Sequence, residues 1–301
     1  MTGEKILTSL DHFAVPSTEH VQPFMAALEQ LRAATPYDEW RTLVRASPLI
    51  RSWRFFLSMD PYTRWGLVKP RGYPGDATLM DFAYGHESIH AHIEAAGPIA
   101  SSIYAATFGA KQSRSARERV ELLRDEIEVM AARRPITAIS VASGHARELE
   151  ALSESTRTQI VSFTAIDLDP ASLEQARKCA GSIAFKPIRR NVVKDELATA
   201  GPGDLVYSLG LFDYLVDKHA NAVLDKMLAL TLPGGKCIVA NLAPDAANLG
   251  YCEAIMDWWM ITRNEEKMLE LGSACNAVKD GSFRLEVRRA GCFNYLQLIA
   301  A

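Results

Sequence analysis

The sequence lacks most of what would tie it to nucleic acid, a membrane or a redox centre. Its 33 basic and 36 acidic side chains leave a net charge of -3, so there is no positive excess to meet a phosphate backbone or an anionic bilayer. No apolar run approaches the roughly 18 residues of a membrane-spanning helix. The five cysteines, Cys179, Cys237, Cys252, Cys275 and Cys292, form no Cys-x-x-Cys pair and are odd in number. That pattern predicts reduced thiols in a cytoplasm, buried as small apolar residues. The opening stretch MTGEKILTSLDHF carries acids and no long apolar core, so no signal peptide is expected there. What remains is ordinary for a globular protein: 301 residues, 48% hydrophobic and 23% charged, long enough for one large domain or two.

The chain is organised around Ala138 to Pro170. An apolar run from Ala138 to Ala142 ends in Ser143-Gly144. A helical pattern with Leu149 and Leu152 on one face follows. A second apolar run, Ile160 to Ile166, then ends in Asp167-Leu168-Asp169-Pro170. Strand, small-residue turn, helix, strand and acid make the opening unit of a nucleotide-binding α/β sheet. Backbone N–H groups at such a turn face a ligand where no side chain blocks them, and the acid is placed to accept both hydroxyls of a ribose. Gly144 and Asp167 are 23 residues apart, close to the roughly 20 of that geometry. The turn has one glycine, which alone is a weak fingerprint.

Residues 1–134 read as successive helices. Val21 to Ala33 carries a stripe of Phe24, Met25, Leu28 and Leu31. Asp38 to Ala46, Pro48 to Phe56 and Arg114 to Ala132 are similar, the last with alternating charges such as Arg117-Glu118-Arg119 that suit a solvated face. Lys69-Pro-Arg-Gly-Tyr-Pro-Gly-Asp76 interrupts them as a turn-rich loop. It suits either contact with a zwitterionic ligand or a plain surface connection. His86-Glu-Ser-Ile-His90 matches the HExxH pattern, in which two imidazoles four apart on a helix share a zinc. His92 and Glu94 lie nearby, but Gly97-Pro98 closes that helix soon after, no clear third-ligand motif follows, and no metal is expected.

From residue 135 strands alternate with helices, which implies a largely parallel sheet. Pro170 to Ala180 is a helix and Ile183 to Ile188 a short strand leading to Asn191 and Val192. Gly203 to Gly210 is a fourth strand, and Leu211 to Leu215 opens a loop before the helix His219 to Leu230. Pro233-Gly234-Gly235 reads as a tight turn before the strand Lys236 to Ala240, with Asn241 at its end. A long helix is expected over Tyr251 to Leu271, with Trp258 and Trp259 more often core than ligand cage. Phe283 to Ala290 and Cys292 to Ile299 are joined by so short a turn that they must be antiparallel.

These segments together resemble the class I S-adenosyl-L-methionine (SAM)-dependent methyltransferases over roughly residues 135–301. Leu-Pro-Gly-Gly-Lys before the fifth strand and Gly203 to Leu215 carry the resemblance. Four segments narrow it to a bacterial subgroup: Arg71 to Asp76, Ala146 to Glu148, Ser208 to Tyr214, and Asn241 to Arg263 containing Met256-Asp-Trp258. That subgroup includes synthases of hydroxy-fatty-acid methyl esters and enzymes that cyclise SAM to azetidine-2-carboxylate. The resemblance implies an α/β, Rossmann-like seven-stranded methyltransferase sheet over 135–301, a helical lid domain over 1–134, and SAM as cofactor.

By that resemblance, Ala142, Ser143 and Gly144 form the cofactor turn, with the Ala142 methyl where a glycine normally admits the methionine part. Asp167 holds the ribose, Leu168 packs on the adenine, and Asn191 and Val192 meet its edge. Ser208 and Gly210 lie beneath the sulfonium, and Arg71 and Tyr73 hold the carboxylate and cover the methyl. Tyr73, Asp76, Asp213, Tyr214, Asn241 and Tyr251 line the reacting end, although Asn241 and Tyr251 equally suit structural hydrogen bonds. The implied activity is methyl transfer to an oxygen of a small or lipid-like metabolite. The alternatives are cyclisation of SAM with release of methylthioadenosine, a non-catalytic SAM sensor and, remotely, an HExxH zinc hydrolase. A small-molecule substrate is expected, without nucleic acid or membrane partners, in a monomer or homodimer.

Overall fold

The computed structural model describes residues 13–301; the stretch MTGEKILTSLDH, on which most of the signal-peptide expectation rests, lies outside them. The chain forms two compact units. One holds the residues up to Arg117 together with Ala246–Trp259, and the other holds Glu118–Asp245 with Met260–Ala301. The expected division at 134/135 therefore differs from the observed one in two ways. It falls after the long helix rather than within it, and it misses the return of 246–259 to the helical unit.

The second unit is a seven-stranded sheet. Its strands are β1 (Ile136–Val141), β2 (Ile160–Asp167), β3 (Phe185–Arg189), β4 (Gly203–Ser208), β5 (Thr231–Leu242), β6 (Phe283–Ala290) and β7 (Phe293–Ala300). They lie in the order β3-β2-β1-β4-β5-β7-β6. The first five are parallel, and β7 runs antiparallel between β5 and β6. Every residue of β4 is buried, as is nearly all of β1, because a central parallel strand is covered on both faces. Edge strand β6 instead alternates, with Arg284, Glu286 and Arg288 outward, the charged pattern that keeps an open edge from pairing with another chain. On one face Ile139, Val141, Val206 and Val239 pack in a core with Val223 and Met227. The strand order reverses between β1 and β4, so the carboxyl ends of those two strands border the crevice where α/β sheets receive ligands.

Two local expectations change here. The helix expected after β1 is only a 3-10 turn, Arg147–Leu149, because Ser153 restarts the chain by accepting the Thr156 N–H at 3.2 Å. Pro233-Gly234-Gly235 is not a turn ahead of β5 but an irregularity inside it, where the pairing with β4 jumps from Gly203↔Thr231 to Leu205↔Lys236.

The helical unit is built from α1 (Val21–Ala34), α2 (Tyr37–Ala46), α3 (Pro48–Leu57), α4 (Pro61–Val68), α5 (Ala77–Tyr84), α6 (His90–Phe108) and the start of α7 (Lys111–Ala131). Ser47-Pro48 and Asp60-Pro61 start α3 and α4 by the same device, a capping oxygen followed by a proline whose missing N–H costs nothing there. Gly97, with φ +84°, and Pro98 kink α6. In the sheet unit, α8 (Glu154–Gln159), α9 (Pro170–Ala180) and α10 (Asp217–Ala229) follow β1, β2 and β4. None of the described helices is long and apolar enough to cross a membrane.

The expected helix from Tyr251 to Leu271 is broken. It consists of α11 (Leu249–Ala254), a non-helical passage in which Asp257 takes a φ of +48°, and α12 (Glu265–Ser273), which precedes the short α13 (Asn276–Lys279). The break has a physical cause: the two ends are held in different units. Glu253, nearly fully buried, takes a two-pronged contact from Arg32 at 2.7 and 2.9 Å and the Trp40 indole N–H at 2.6 Å. The Arg263 N–H instead bonds to Leu242 of β5 at 3.0 Å.

Gly250 explains how α11 seats so closely: a Cβ there would lie 2.5 Å from the Leu28 carbonyl oxygen of α1. Backbone cannot yield as a flexible side chain does. Gly250→Ala is therefore expected to destabilise the protein by about 3 kcal/mol through overpacking, read as a fall in the urea unfolding midpoint.

Candidate functional site

In the sheet unit the turn after β1 is unusual. Ala142, Gly144 and Ala146 have φ values of +56°, +53° and +51°, so two alanines occupy a left-handed conformation that ordinarily selects glycine. The strained turn is held by β2. The Ser143 N–H bonds to the Ile166 carbonyl at 3.1 Å, and the Gly144 N–H bonds to Asp167 Oδ2 at 2.8 Å. Asp167 Oδ1 accepts the Asp169 N–H at 2.9 Å, while Asp169 caps α9 through Ala171 and Ser172. Burial pushes this carboxyl above the ordinary aspartate range, and backbone N–H groups of Asp169, Gly144 and Leu168 oppose that shift.

Leu168 follows with 52% of its surface exposed, an apolar face left in the open beside the acid. Across β3, Asn191 closes a turn by accepting the Val193 and Lys194 N–H groups at 3.1 and 3.2 Å. Lys226 of α10 fixes the same loop by donating to the carbonyls of Val192, Val193 and Asp195 at 3.3, 3.2 and 2.8 Å. Val192 itself is buried. The structure therefore brings Ala142, Ser143, Gly144, Asp167 and Leu168 into one cluster at the carboxyl ends of β1 and β2. Asn191 and Val192 flank it after β3.

On the other side of β1, Ser208 ends β4 fully buried, and its hydroxyl has no hydrogen-bond partner. A Cβ placed on Gly210 would meet nothing within 4 Å. Buried Asp213 accepts the Asn241 side-chain N–H at 2.8 Å and the Leu242 N–H at 2.7 Å, both on Oδ1. Burial pushes its carboxyl up to about 6, against the Leu242 bond and the charges of Arg119 and Arg263. Asn241, also fully buried, is committed to Asp213, to the Ile261 carbonyl at 2.8 Å and to Arg263. Tyr214 lies in the same 3-10 turn as Asp213, half-buried.

Arg71, Tyr73, Asp76 and Tyr251 belong to the helical unit. Asp76 caps α5 and takes the Trp65 indole N–H at 2.9 Å, and Arg71 donates to the Thr78 hydroxyl at 3.1 Å. Tyr73 is the most exposed of the four. The Tyr251 and Thr63 hydroxyls bond at 2.6 Å. Thr63 and Thr107 donate to Asp60 at 2.7 and 3.2 Å, and burial raises the Asp60 carboxyl to about 6. The HExxH pattern does not form a metal face. His86 caps the 3-10 turn Glu87–Ile89 and His90 starts the next helix, so the two imidazoles are not successive turns of one helix. No metal-holding group of three or more side chains occurs among the described residues.

Three residues of the sheet unit, Arg119, Glu148 and Arg263, escape a reading of the sequence. The charge alternation around Arg119 reads as a solvated face, yet Arg119 is buried, donates to the Leu209 carbonyl at 2.5 Å and lies 4.5 Å from the centre of the Phe293 ring. Glu148 is buried, takes the Tyr207 hydroxyl, and is pushed above the ordinary carboxylate range by that burial. Arg263 sits inside the stretch read as a helix.

Neither protein-family profiles nor curated proteins match the chain. Among solved structures, a possible exported protein from Bordetella parapertussis is similar over 95% of this chain and 97% of that one, at 18% identity and a TM-score of 0.64. A magnesium protoporphyrin IX methyltransferase from Synechocystis PCC 6803 with bound SAH is similar over 63% of this chain and 84% of that one, with 11% identity and a TM-score of 0.47. An O-methyltransferase family protein from Burkholderia thailandensis covers 84% and 72%, with 16% identity and a TM-score of 0.48. The first of these bears on the fold; the other two scores carry no more than the likeness itself. The α/β sheet of seven strands, with β7 inserted antiparallel between β5 and β6, is the sheet expected from the sequence, and a helical region precedes it.

Two outcomes follow from this geometry. Ala142→Gly relieves a left-handed alanine and is expected to stabilise the fold by about 1 kcal/mol, read as a rise in melting temperature of about 2 °C. Asp60 and Asp213 hold their protons more tightly folded than unfolded, so stability falls as pH rises from about 4 to about 6 and levels off above. Asp213→Asn, or Asp60→Asn with its cap retained, is expected to remove up to about 3 kcal/mol of that fall in unfolding curves taken across the range.

Proposed function

We propose that the protein binds SAM across the carboxyl ends of β2, β1 and β4, and that it is a methyltransferase acting on an oxygen of a small or lipid-like metabolite. The observation that carries the reading is the Asp167 carboxylate clasped to the Gly144 turn at one end of a crevice whose other end is left open at Gly210. The residues present fit the group. Asp167 offers a carboxylate acceptor for the ribose hydroxyls, and Leu168 an apolar face for the adenine. The Asn191 loop is fixed for the base edge by its own turn and by Lys226. The unpartnered Ser208 hydroxyl and the vacant direction at Gly210 suit the sulfonium end.

When bound, SAM supplies a methyl carbon already activated by its sulfonium. The work left to the chain is to orient the acceptor, to exclude water and to complement the charge. A carboxylic acid acceptor is ionised at neutral pH and requires no base, which is why it heads the candidate acceptors. Asp213 and Tyr214 are the side chains at the β4 end best placed to line the reacting end.

The test is product identity. Purified protein is incubated with SAM alone, and with SAM plus small carboxylic acids or hydroxylated fatty acids, and the nucleoside is identified by mass spectrometry. S-adenosylhomocysteine (SAH) formed only with an acceptor is the expected result. Methylthioadenosine formed without one replaces methyl transfer by cyclisation of SAM, and unchanged SAM in every mixture overturns the proposal.

A further inference from the structure

We propose that Arg263 is a positioning residue that fixes the β4–α10 loop, residues 209–216, as the floor for the amino-acid end of SAM. This rests on the SAM reading above. Arg263 is 3% exposed, and all five of its N–H donors are engaged. Nε bonds to Asp217 at 3.1 Å, Nη1 to the Phe212 carbonyl at 2.9 Å and to Asn241 Oδ1, and Nη2 to the Leu215 carbonyl at 2.6 Å and to Asp217 at 2.7 Å. The rest of the loop is tied as firmly. Arg119 holds the Leu209 carbonyl, and the Asp213 carbonyl accepts the Ile261 N–H at 2.7 Å. Four of the loop's carbonyls are therefore fixed, two of them by one buried guanidinium.

The loop begins where the Ser208 hydroxyl lacks a partner and Gly210 faces open space. β4 lies two strand spacings from β2, about 10 Å. That is the reach from a ribose held at Asp167 to the amino-acid chain beyond the sulfur. The position also explains why a cation is used. Burying a guanidinium is a poor way to gain stability, because a well-packed apolar side chain does as well or better. Arg263 instead gives several fixed donors in one plane, which sets the path of a loop that has no regular ladder of its own.

The test compares two ligands that share the nucleoside and sulfur but differ in the amino-acid chain. SAM and 5′-methylthioadenosine are titrated calorimetrically into the wild type, Arg263→Lys and Asp217→Asn. Asp217 is 73% exposed in its side chain, so its substitution leaves the core intact and keeps the test decisive should Arg263→Lys fail to fold. Arg263→Lys is expected to weaken SAM about tenfold, and Asp217→Asn about threefold, with methylthioadenosine within about twofold in both. Parallel weakening of both ligands, or no weakening of either, overturns the positioning role alone. A wild type that binds neither ligand overturns the SAM reading and this inference with it.

Discussion

The sheet unit depends on one interaction: the carboxylate at the end of β2 receives the backbone N–H of the turn at the end of β1. Asp167 to Gly144, at 2.8 Å, ties the turn after β1 to the end of β2 beside the Ser143–Ile166 bond, and it does so in a turn with three left-handed residues. A carboxylate that accepts backbone N–H groups gains more than a neutral acceptor, which offsets the local cost of the two alanines. The same carboxylate is the one proposed to receive the paired hydroxyls of a ribose.

A second constraint acts on the far side of β1. The loop after β4 has no ladder to define it, so its path is set by buried cations donating to its carbonyls. Lys226 does the same for the loop after β3. Two loops at the crevice are thus shaped by side chains from elsewhere in the sheet unit. Such preorganisation leaves little to reorganise when a ligand binds.

Much of this was legible in the sequence, and the reason is periodicity. The short apolar runs of β1, β2 and β4, the acid at 167 and the closing pair β6–β7 are local patterns, and each falls where a strand or strand end was expected. The helices of the N-terminal region are likewise declared by their stripes. What the pattern could not show were contacts made across long stretches of chain. The apolar and aromatic spacing from Tyr251 onward suits a helix, but Glu253 and Arg263 are claimed by different units and the helix breaks between them. Arg119 wears the sequence of a surface residue because burial of a charge depends on partners, here the Leu209 carbonyl and the Phe293 ring, that lie far away in the chain. Asp76 and Tyr251 carry side chains suited to a reacting site, yet each has hydrogen-bond partners inside the helical unit that no local spacing announces.

The central claim is that Asp167 receives the nucleoside of SAM at the carboxyl ends of β1 and β2. Calorimetric titration of SAH into the wild type and into Asp167→Asn tests it most directly. The account requires saturable one-to-one binding by the wild type and a loss of about tenfold or more in the variant, with its melting temperature showing that it stays folded. Equal affinity in the two proteins, or no heat of binding in the wild type under any buffer tried, would contradict it.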